Sequence, residues 1–108
     1  MKGQRLSPAA KRLDVVVVAA RYAPDGKLTM AQGYERRGQV WTDLLLLDRP
    51  TLIGRLRAGR RVAAGEPRGV PGDFVVRDVL VLSGVDGRTV VRASHTRSST
   101  DNLGVPTF

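Results

Sequence analysis

Two aromatic residues and two arginines, Tyr34, Arg36, Arg37 and Trp41, stand close together in the chain. The sequence predicts a basic turn at the two arginines, so Tyr34 and Trp41 can face each other across an antiparallel hairpin beside two guanidinium groups. Binding a nucleic-acid single strand needs this chemistry, because bases stack on aromatic rings and phosphates pair with cations. Alternatively, one or both rings fill the core, as large apolar side chains of small domains commonly do.

Further arginines follow in two pairs, Arg55 with Arg57 and Arg60 with Arg61. The chain of 108 residues has 18 basic and 10 acidic residues and a net charge of +8. Such a protein attracts polyanions, so nucleic acid is the expected partner, with single-stranded DNA favoured and RNA possible. The paired arginines predict a positive stripe if the segment that carries Arg55 and Arg57 packs beside the third strand. Individually, each could also be a solvated residue paired with a nearby acid.

Residues suited to catalysis or metal binding are few. The chain has no cysteine, which excludes thiol chemistry and a Cys-ligated zinc site, and His95 is the only histidine. Asp73 and Asp78 lie five positions apart on a predicted strand and therefore on opposite faces. The loop from Gly65 to Gly69 lacks the Lys-Ser/Thr pair of a phosphate-binding P-loop. We therefore predict a protein that is not an enzyme, with no catalytic residue, no metal and no cofactor, and with His95 solvated.

The first half of the chain predicts three strands. The apolar, β-branched run from Leu13 to Tyr22 is typical of a strand buried on both faces. The sequence Pro24-Asp25-Gly26 predicts a tight turn, because it combines a preset φ, an Asx-type side chain and a glycine. A second strand, Leu28 to Glu35, and a third, Val40 to Leu47, follow.

A short helix and further strands are predicted next. Asp48 is suited to the N-cap and Pro50 to the first turn, and Gly59 ends the helix. One apolar stripe faces the core, formed by Leu52, Ile53 and Leu56. The later strands are predicted at Val62 to Ala64, Phe74 to Leu82 and Thr89 to Ala93.

This element order predicts an all-β fold, a small closed or partly open β-barrel like the oligonucleotide/oligosaccharide-binding (OB) fold. It has five to six strands and one short helix between strands 3 and 4, and an SH3-like barrel is the alternative. We expect one domain over residues 11–93, a flexible basic arm at 1–10 and a flexible C-terminal tail at 94–108. The apolar run at Val15 to Ala20 is too short to span a membrane, so we expect no membrane association. The absence of cysteine suits a reducing compartment, so we expect a cytoplasmic location.

The chain from Val40 to Leu82 resembles the bacterial single-stranded-DNA-binding proteins. In that family a helix ends in a Leu-x-x-Gly step, here Leu56 to Gly59, and leads into a strand that begins with a valine and reaches a glycine, here Val62 to Gly65. The runs Trp41 to Leu47 and Asp73 to Leu82 are similar to the family's apolar third strand and barrel-closing strand. The resemblance implies an OB fold, binding to single-stranded DNA and assembly into homo-oligomers through strand surfaces.

A second class of function remains open, that of a protein-interaction or assembly module without a specific nucleic-acid ligand. The apolar stretches at Val15 to Ala20 and Leu44 to Leu47 could bury against another chain. The nucleic-acid alternative rests on the predicted site residues, which are Tyr34, Arg36, Arg37, Trp41, Arg55, Arg57, Arg60 and Arg61.

Overall fold

Seven strands and one helix form the part of the chain that the computed structural model describes, residues 13–69 and 73–108. In chain order they are β1 (Val15–Tyr22), β2 (Leu28–Arg37), β3 (Val40–Trp41), β4 (Leu45–Asp48), α1 (Arg49–Arg57), β5 (Val62–Pro67), β6 (Phe74–Val85) and β7 (Arg88–Ala93). The predicted all-β, barrel-like class with a single short helix is confirmed. The predicted basic arm, residues 1–10, lies outside the described residues, as do residues 11, 12 and 70–72.

The strands form one curled sheet in the order β3-β2-β1-β5-β6-β7. The strand β4 pairs with the same edge of β2 as β3 does, but nearer the start of β2. The central strand β1 is antiparallel to β2 and parallel to β5. The chain leaves the β1–β4 half of the sheet after β4 and passes through α1 before it enters β5 on the other side of β1. Within the described residues, β3 and β7 do not pair with each other. The sheet is therefore a half-barrel, the partly open form of the predicted architecture, and the narrower assignment to an OB fold stays a prediction.

The third predicted strand is divided into β3 and β4. The break occurs at Thr42, whose backbone N–H donates to the carbonyl of Glu35 while its hydroxyl accepts from the Glu35 N–H at 3.0 Å. Because a side-chain oxygen takes the place of a backbone acceptor, the ladder with β2 is interrupted and resumes at Leu45.

The turn and cap residues act as the sequence predicts. Gly26 has φ +90°, and the Asp25 carboxylate accepts from the Lys27 N–H at 2.9 Å, which closes the β1–β2 turn. Asp48 caps α1 by accepting from the Thr51 N–H at 2.9 Å, and Gly59 with φ +82° follows the helix end.

The main core lies between one face of the sheet, α1 and the C-terminal segment. It is built from fully buried aliphatic side chains, among them Val15, Val17, Leu52, Val91 and Leu103. A second, smaller core lies on the opposite face of β1, where Leu13, Val16, Ala63 and Phe74 are buried. The four-valine run of β1 thus serves two cores, which explains why both of its faces are apolar.

Two glycines permit the sheet to curl. A Cβ on Gly33 would lie 2.5 Å from the Val16 carbonyl oxygen, and one on Gly65 would lie 2.6 Å from that of Val75. The pairing register also shifts between Val17 and Ala19 and between Ala64 and Gly65. Bulges bend strands and increase their twist, so the close backbone approaches and the bulges together produce the half-barrel.

The prediction of a flexible tail at residues 94–108 is wrong. Leu103 is fully buried in the main core, and Asp101 is only 6% exposed. The segment also bridges to the sheet, through Thr107 beside Ala20 and Asn102 beside Arg92. The polar composition hides this packing, because a single leucine and a single hydrogen-bonded acid fix the segment. The folded domain therefore extends to the C-terminal residues.

The helix α1, with nine residues, does not qualify as a membrane span, and the described part of the chain contains no other helix that could cross a bilayer.

Candidate nucleic-acid interface

Asp14 gathers arginines at one end of the sheet. It directly precedes β1, and its carboxylate lies 3.4 Å from Nη2 of Arg36 and 3.9 Å from Nη1 of Arg60. Its second oxygen accepts from the backbone N–H of Arg61 at 2.8 Å. The Arg36 and Arg60 guanidinium groups, which are distant in the sequence, and the Arg61 backbone are thereby held at the N-terminal end of β1.

Glu35, on the neighbouring strand β2, also holds arginine side chains. It lies opposite Val15 in the β1–β2 register, and its carboxylate lies 2.8 Å from Nε of Arg55 and 3.8 Å from Nη2 of Arg37. We call the set Arg36, Arg37, Arg55, Arg60 and Arg61 the arginine cluster. Four of these guanidinium groups surround two carboxylates, and Arg61 joins through its backbone N–H, so this end of the molecule carries an excess of positive charge.

The members of the arginine cluster differ in exposure and in how many of their hydrogen-bond donors are used within the fold. Arg36 donates from Nε to the Leu13 carbonyl and from Nη1 to the Gly38 carbonyl, both at 2.8 Å. Its donors are therefore used within the fold. Arg37 and Arg60, in contrast, have side chains 71% and 57% exposed. The outward-facing charge of the cluster thus comes from arginines other than Arg36.

Arg57 is not part of the arginine cluster. Its guanidinium donates to the hydroxyl of Thr89 at 3.4 Å, on the side of α1 that faces β7. With 3.6 residues per helical turn, side chains two positions apart point in directions about 200° apart. Arg55 and Arg57 therefore serve opposite faces of the helix, and the predicted stripe that includes both does not form.

The aromatic residues lie beside the arginine cluster and belong to the second core. Trp41 pairs with Arg36 in the β2–β3 register, and its ring meets that of Phe74 edge-on at a centroid distance of 4.8 Å. Tyr34 packs on the same Phe74 ring at 5.4 Å. Both predicted stacking residues are half-buried, so each is partly a core residue. They form a wall next to the positive charge.

The indole N–H of Trp41 is buried, and no described residue accepts a hydrogen bond from it. A buried donor without a partner costs free energy, since its hydrogen bond to water is lost. Placement in the second core therefore leaves the Trp41 side chain incompletely satisfied.

An apolar groove adjoins the arginine cluster. It has a volume of about 470 Å³, Arg60 and Arg61 line one part of it, and the apolar lining comes from Leu13, Val62, Val76, Val79 and Leu80. Val79 is exposed, so the groove is open to solvent. This groove is not evident from the sequence, because the bulge between Ala64 and Gly65 decides which valines of β6 face outward. The unusually valine-rich β6 is the one signal for it.

His95 is solvated, as expected, but it is also held by a carboxylate. Its Nδ1 lies 2.5 Å from Oδ2 of Asp78, although the imidazole remains largely exposed. Burial alone would raise the pKa of Asp78, but hydrogen bonds from the Ser94 hydroxyl and the His95 and Val79 N–H groups outweigh it and hold that pKa below its ordinary value. Ser94 donates to Asp78 and not to the imidazole, so the trio closes the turn after β7 without forming a nucleophile–base pair.

Within residues 13–69 and 73–108, no three acidic or histidine side chains converge in a way that would hold a metal ion. Comparison with family models, curated proteins and solved structures finds no match for this chain.

Proposed function

We propose that the protein binds single-stranded nucleic acid, DNA in preference to RNA, across the arginine cluster and the adjoining apolar groove. The observation that carries the proposal is the convergence of four guanidinium groups on two carboxylates, next to an open apolar groove that Arg61 also lines and to two half-buried aromatic rings. The guanidinium groups can bind phosphates, and the groove and the aromatic rings can bind unpaired bases.

Each part of the surface has a separate role. Arg37, Arg60 and Arg61 are exposed and contact phosphates. Arg36 and Arg55, fixed by Asp14 and Glu35, set the positive potential without leaving their partners. Bases pack into the groove against Val76 and Val79. The Trp41 and Tyr34 rings border the path and take part through the ring surface that the second core leaves exposed.

The preference for single strands follows from the groove. A base enters it only when it is unpaired, whereas the bases of a duplex stay paired and stacked and cannot insert, so the duplex uses mainly the arginines. Three phosphate contacts predict a slope of about −2 for the logarithm of the binding constant against the logarithm of the salt concentration. Affinity should therefore fall roughly 20-fold between about 50 and about 200 mM salt.

The test is a fluorescence-polarisation titration of the full chain with a labelled short oligothymidylate and with a duplex of equal length, at both salt concentrations. The proposal predicts saturable binding that favours the single strand and weakens with salt, together with a change in Trp41 emission. Equal affinity for the duplex, with the same salt dependence, would reduce the site to a nonspecific polyanion surface and contradict the proposal.

A second candidate function, self-assembly, is favoured by one observation at the β3–β4 edge. Val40, Leu44 and Leu46 are 69%, 48% and 63% exposed there. An exposed apolar edge strand is a template for pairing with another chain. Sedimentation of the wild type and of Leu46→Glu tests this candidate, because an assembly through this edge dissociates in the variant, whereas a wild type that is monomeric at all concentrations rules it out.

A further inference from the structure

A second charged site lies at the opposite end of β1, next to the β1–β2 turn. It is a pocket of about 370 Å³ between that turn, the start of α1, the start of β7 and the C-terminal segment. Its cationic lining consists of Lys27, Arg49 and Arg88, and its hydroxyl lining of Thr89, Ser99 and Thr100. We call it the polar pocket. The nucleic-acid proposal uses none of these residues.

The floor of the polar pocket is fixed by an ion pair. The carboxylate of Asp101 lies 2.7 Å from Nε of Arg49 and also accepts from the backbone N–H groups of Leu28 at 2.7 Å and Val91 at 3.0 Å. The same guanidinium donates to the carbonyl of Thr89. Arg49 and Asp101 therefore offset each other and hold the floor rigid, while contributing little net charge.

The rim keeps a positive charge. Lys27 and Arg88 are exposed, and neither takes part in an ion pair within the described residues. The other acid at the rim is Asp25, whose carboxylate accepts from the backbone N–H of Lys27. Two free cations thus face one carboxylate, and an anion that enters between them gains attraction from both.

Hydroxyl groups complete the lining. The Thr89 oxygen accepts from Arg57, which leaves its own proton available to donate into the pocket. Ser99 and Thr100 lie at the exposed edge, and the turn that carries them is held by hydrogen bonds from the Ser98 hydroxyl to Thr100 O and from the Thr100 N–H back to that hydroxyl. The pocket therefore offers several donors from different directions.

We propose that the polar pocket binds a small-molecule phosphate monoester. A phosphate monoester carries close to two negative charges and three strong acceptor oxygens, which matches two cations and several hydroxyl donors better than the two oxygens of a carboxylate do. The volume lies at the low end of the range for small-molecule sites, so the group attached to the phosphate is small.

Calorimetric titration of the full chain with ribose 5-phosphate, ribose and inorganic phosphate tests the proposal. Ribose 5-phosphate should bind, ribose should not, and inorganic phosphate should bind more weakly than the ester. Lys27→Gln and Arg88→Gln should each weaken ribose 5-phosphate binding about tenfold, because each removes one charge-assisted contact worth about 1.5 kcal/mol. Both residues lie on the exposed rim, so the variants keep the Asp101–Arg49 floor and the fold.

The matched control is Arg68→Gln, which removes the same charge from an exposed arginine paired with Asp73, outside both sites. It should leave ribose 5-phosphate binding unchanged. Equal losses in the Arg68 and Arg88 variants would show attraction by the net charge alone and overturn the site. Inorganic phosphate binding as tightly as the ester would assign free phosphate as the ligand and overturn the ester. The Lys27 and Arg88 variants should keep oligothymidylate binding, because neither residue belongs to the arginine cluster. Failure of the phosphate-site proposal can therefore be told apart from failure of the nucleic-acid proposal.

Discussion

Single side chains with several hydrogen bonds connect distant parts of this fold. Asp101 accepts from β2, from β7 and from Arg49 of α1, so one carboxylate ties the C-terminal segment to three elements. Burial would raise the pKa of Asp101, but the hydrogen bonds from Arg49, Leu28 and Val91 outweigh it and hold that pKa below its ordinary value. The charged form therefore stabilises the native state.

The first prediction concerns how the free energy of unfolding falls at acid pH, the acid limb of the stability curve. A carboxyl whose pKa is lower in the folded than in the unfolded state stabilises the fold above the unfolded value of about 3.9, and the stabilisation is lost as the pH falls through the folded value. Asp101→Asn should lower the free energy of unfolding by about 3 kcal/mol at neutral pH, because it leaves Arg49 without its partner. Urea unfolding from pH 7 downward checks this, and the variant should show a flatter acid limb. A variant as stable as the wild type at pH 7 would contradict it.

Neighbouring arginines of the arginine cluster should behave differently, which is the second prediction. Arg36→Ala leaves the Leu13 and Gly38 carbonyls without their side-chain donor and removes the ion pair of Arg36 with Asp14, so it should cost about 2 kcal/mol of stability. Arg37→Ala removes an exposed side chain and should change stability by less than about 0.5 kcal/mol, while lowering the magnitude of the salt slope of oligothymidylate binding by about 0.7. Unfolding curves and salt titrations of both variants measure the contrast. The reverse pattern would mean that Arg36 is the phosphate contact.

At the scale of elements, the C-terminal segment behaves as part of the sheet. Leu103 fills the main core, its N–H donates to the Tyr22 hydroxyl at 3.0 Å, and Thr107 bridges to β1. Burial raises the pKa of the Tyr22 hydroxyl, so this hydroxyl stays neutral at physiological pH. The segment closes a side of the core that the strands leave open.

The third prediction follows from that closure. Leu103→Ala should destabilise the protein by about 3 kcal/mol, the cost of a cavity in a close-packed core. Thr107→Ala, an exposed position in the same segment that bridges through its backbone, should cost less than about 0.5 kcal/mol. If chemical denaturation shows no difference between the two variants, the segment is detached in solution and the packing described above is incorrect.

The fourth prediction tests the curl of the sheet with two glycines. Gly33→Ala should be strongly destabilising, because its Cβ would lie 2.5 Å from the Val16 carbonyl oxygen in a central strand pair. Gly54→Ala lies in α1 with nothing within 4 Å of the new Cβ, and it should raise stability by about 0.8 kcal/mol through helix propensity. Thermal unfolding of both variants measures the opposite signs. A tolerated Gly33→Ala would show that β1 and β2 do not approach so closely.

The elements were predictable where local chemistry decides them. The β1–β2 turn, the Asp48 cap and the helix end at Gly59 depend on a few adjacent residues, and all three are present. Features that depend on long-range contacts were not predictable. The burial of Leu103 and the break at Thr42 depend on partners elsewhere in the chain. The separation of Arg55 from Arg57 depends on how α1 packs, because Arg55 contacts Glu35 and Arg57 contacts Thr89.

At the scale of the whole molecule, the two ends of β1 carry different charged sites. The arginine cluster surrounds Asp14 and Glu35 at one end, and the polar pocket surrounds Asp101 at the other. An eight-residue strand spans roughly 26 Å, which is beyond the Debye length at physiological salt. The two sites should therefore bind their ligands independently, although both share the long-range attraction of a chain with net charge +8.

Oligothymidylate binding by two double variants of equal net charge shows whether the arginine cluster itself binds nucleic acid. Arg37→Gln with Arg61→Gln removes exposed charge from the arginine cluster, whereas Arg68→Gln with Arg97→Gln removes it elsewhere on the surface. We predict that the first pair loses roughly tenfold or more of the affinity and has a shallower salt slope, and that the second pair binds almost like the wild type. Equal losses of affinity in both double variants would mean that net charge, and not the arginine cluster, determines binding, which is the opposite of the proposal.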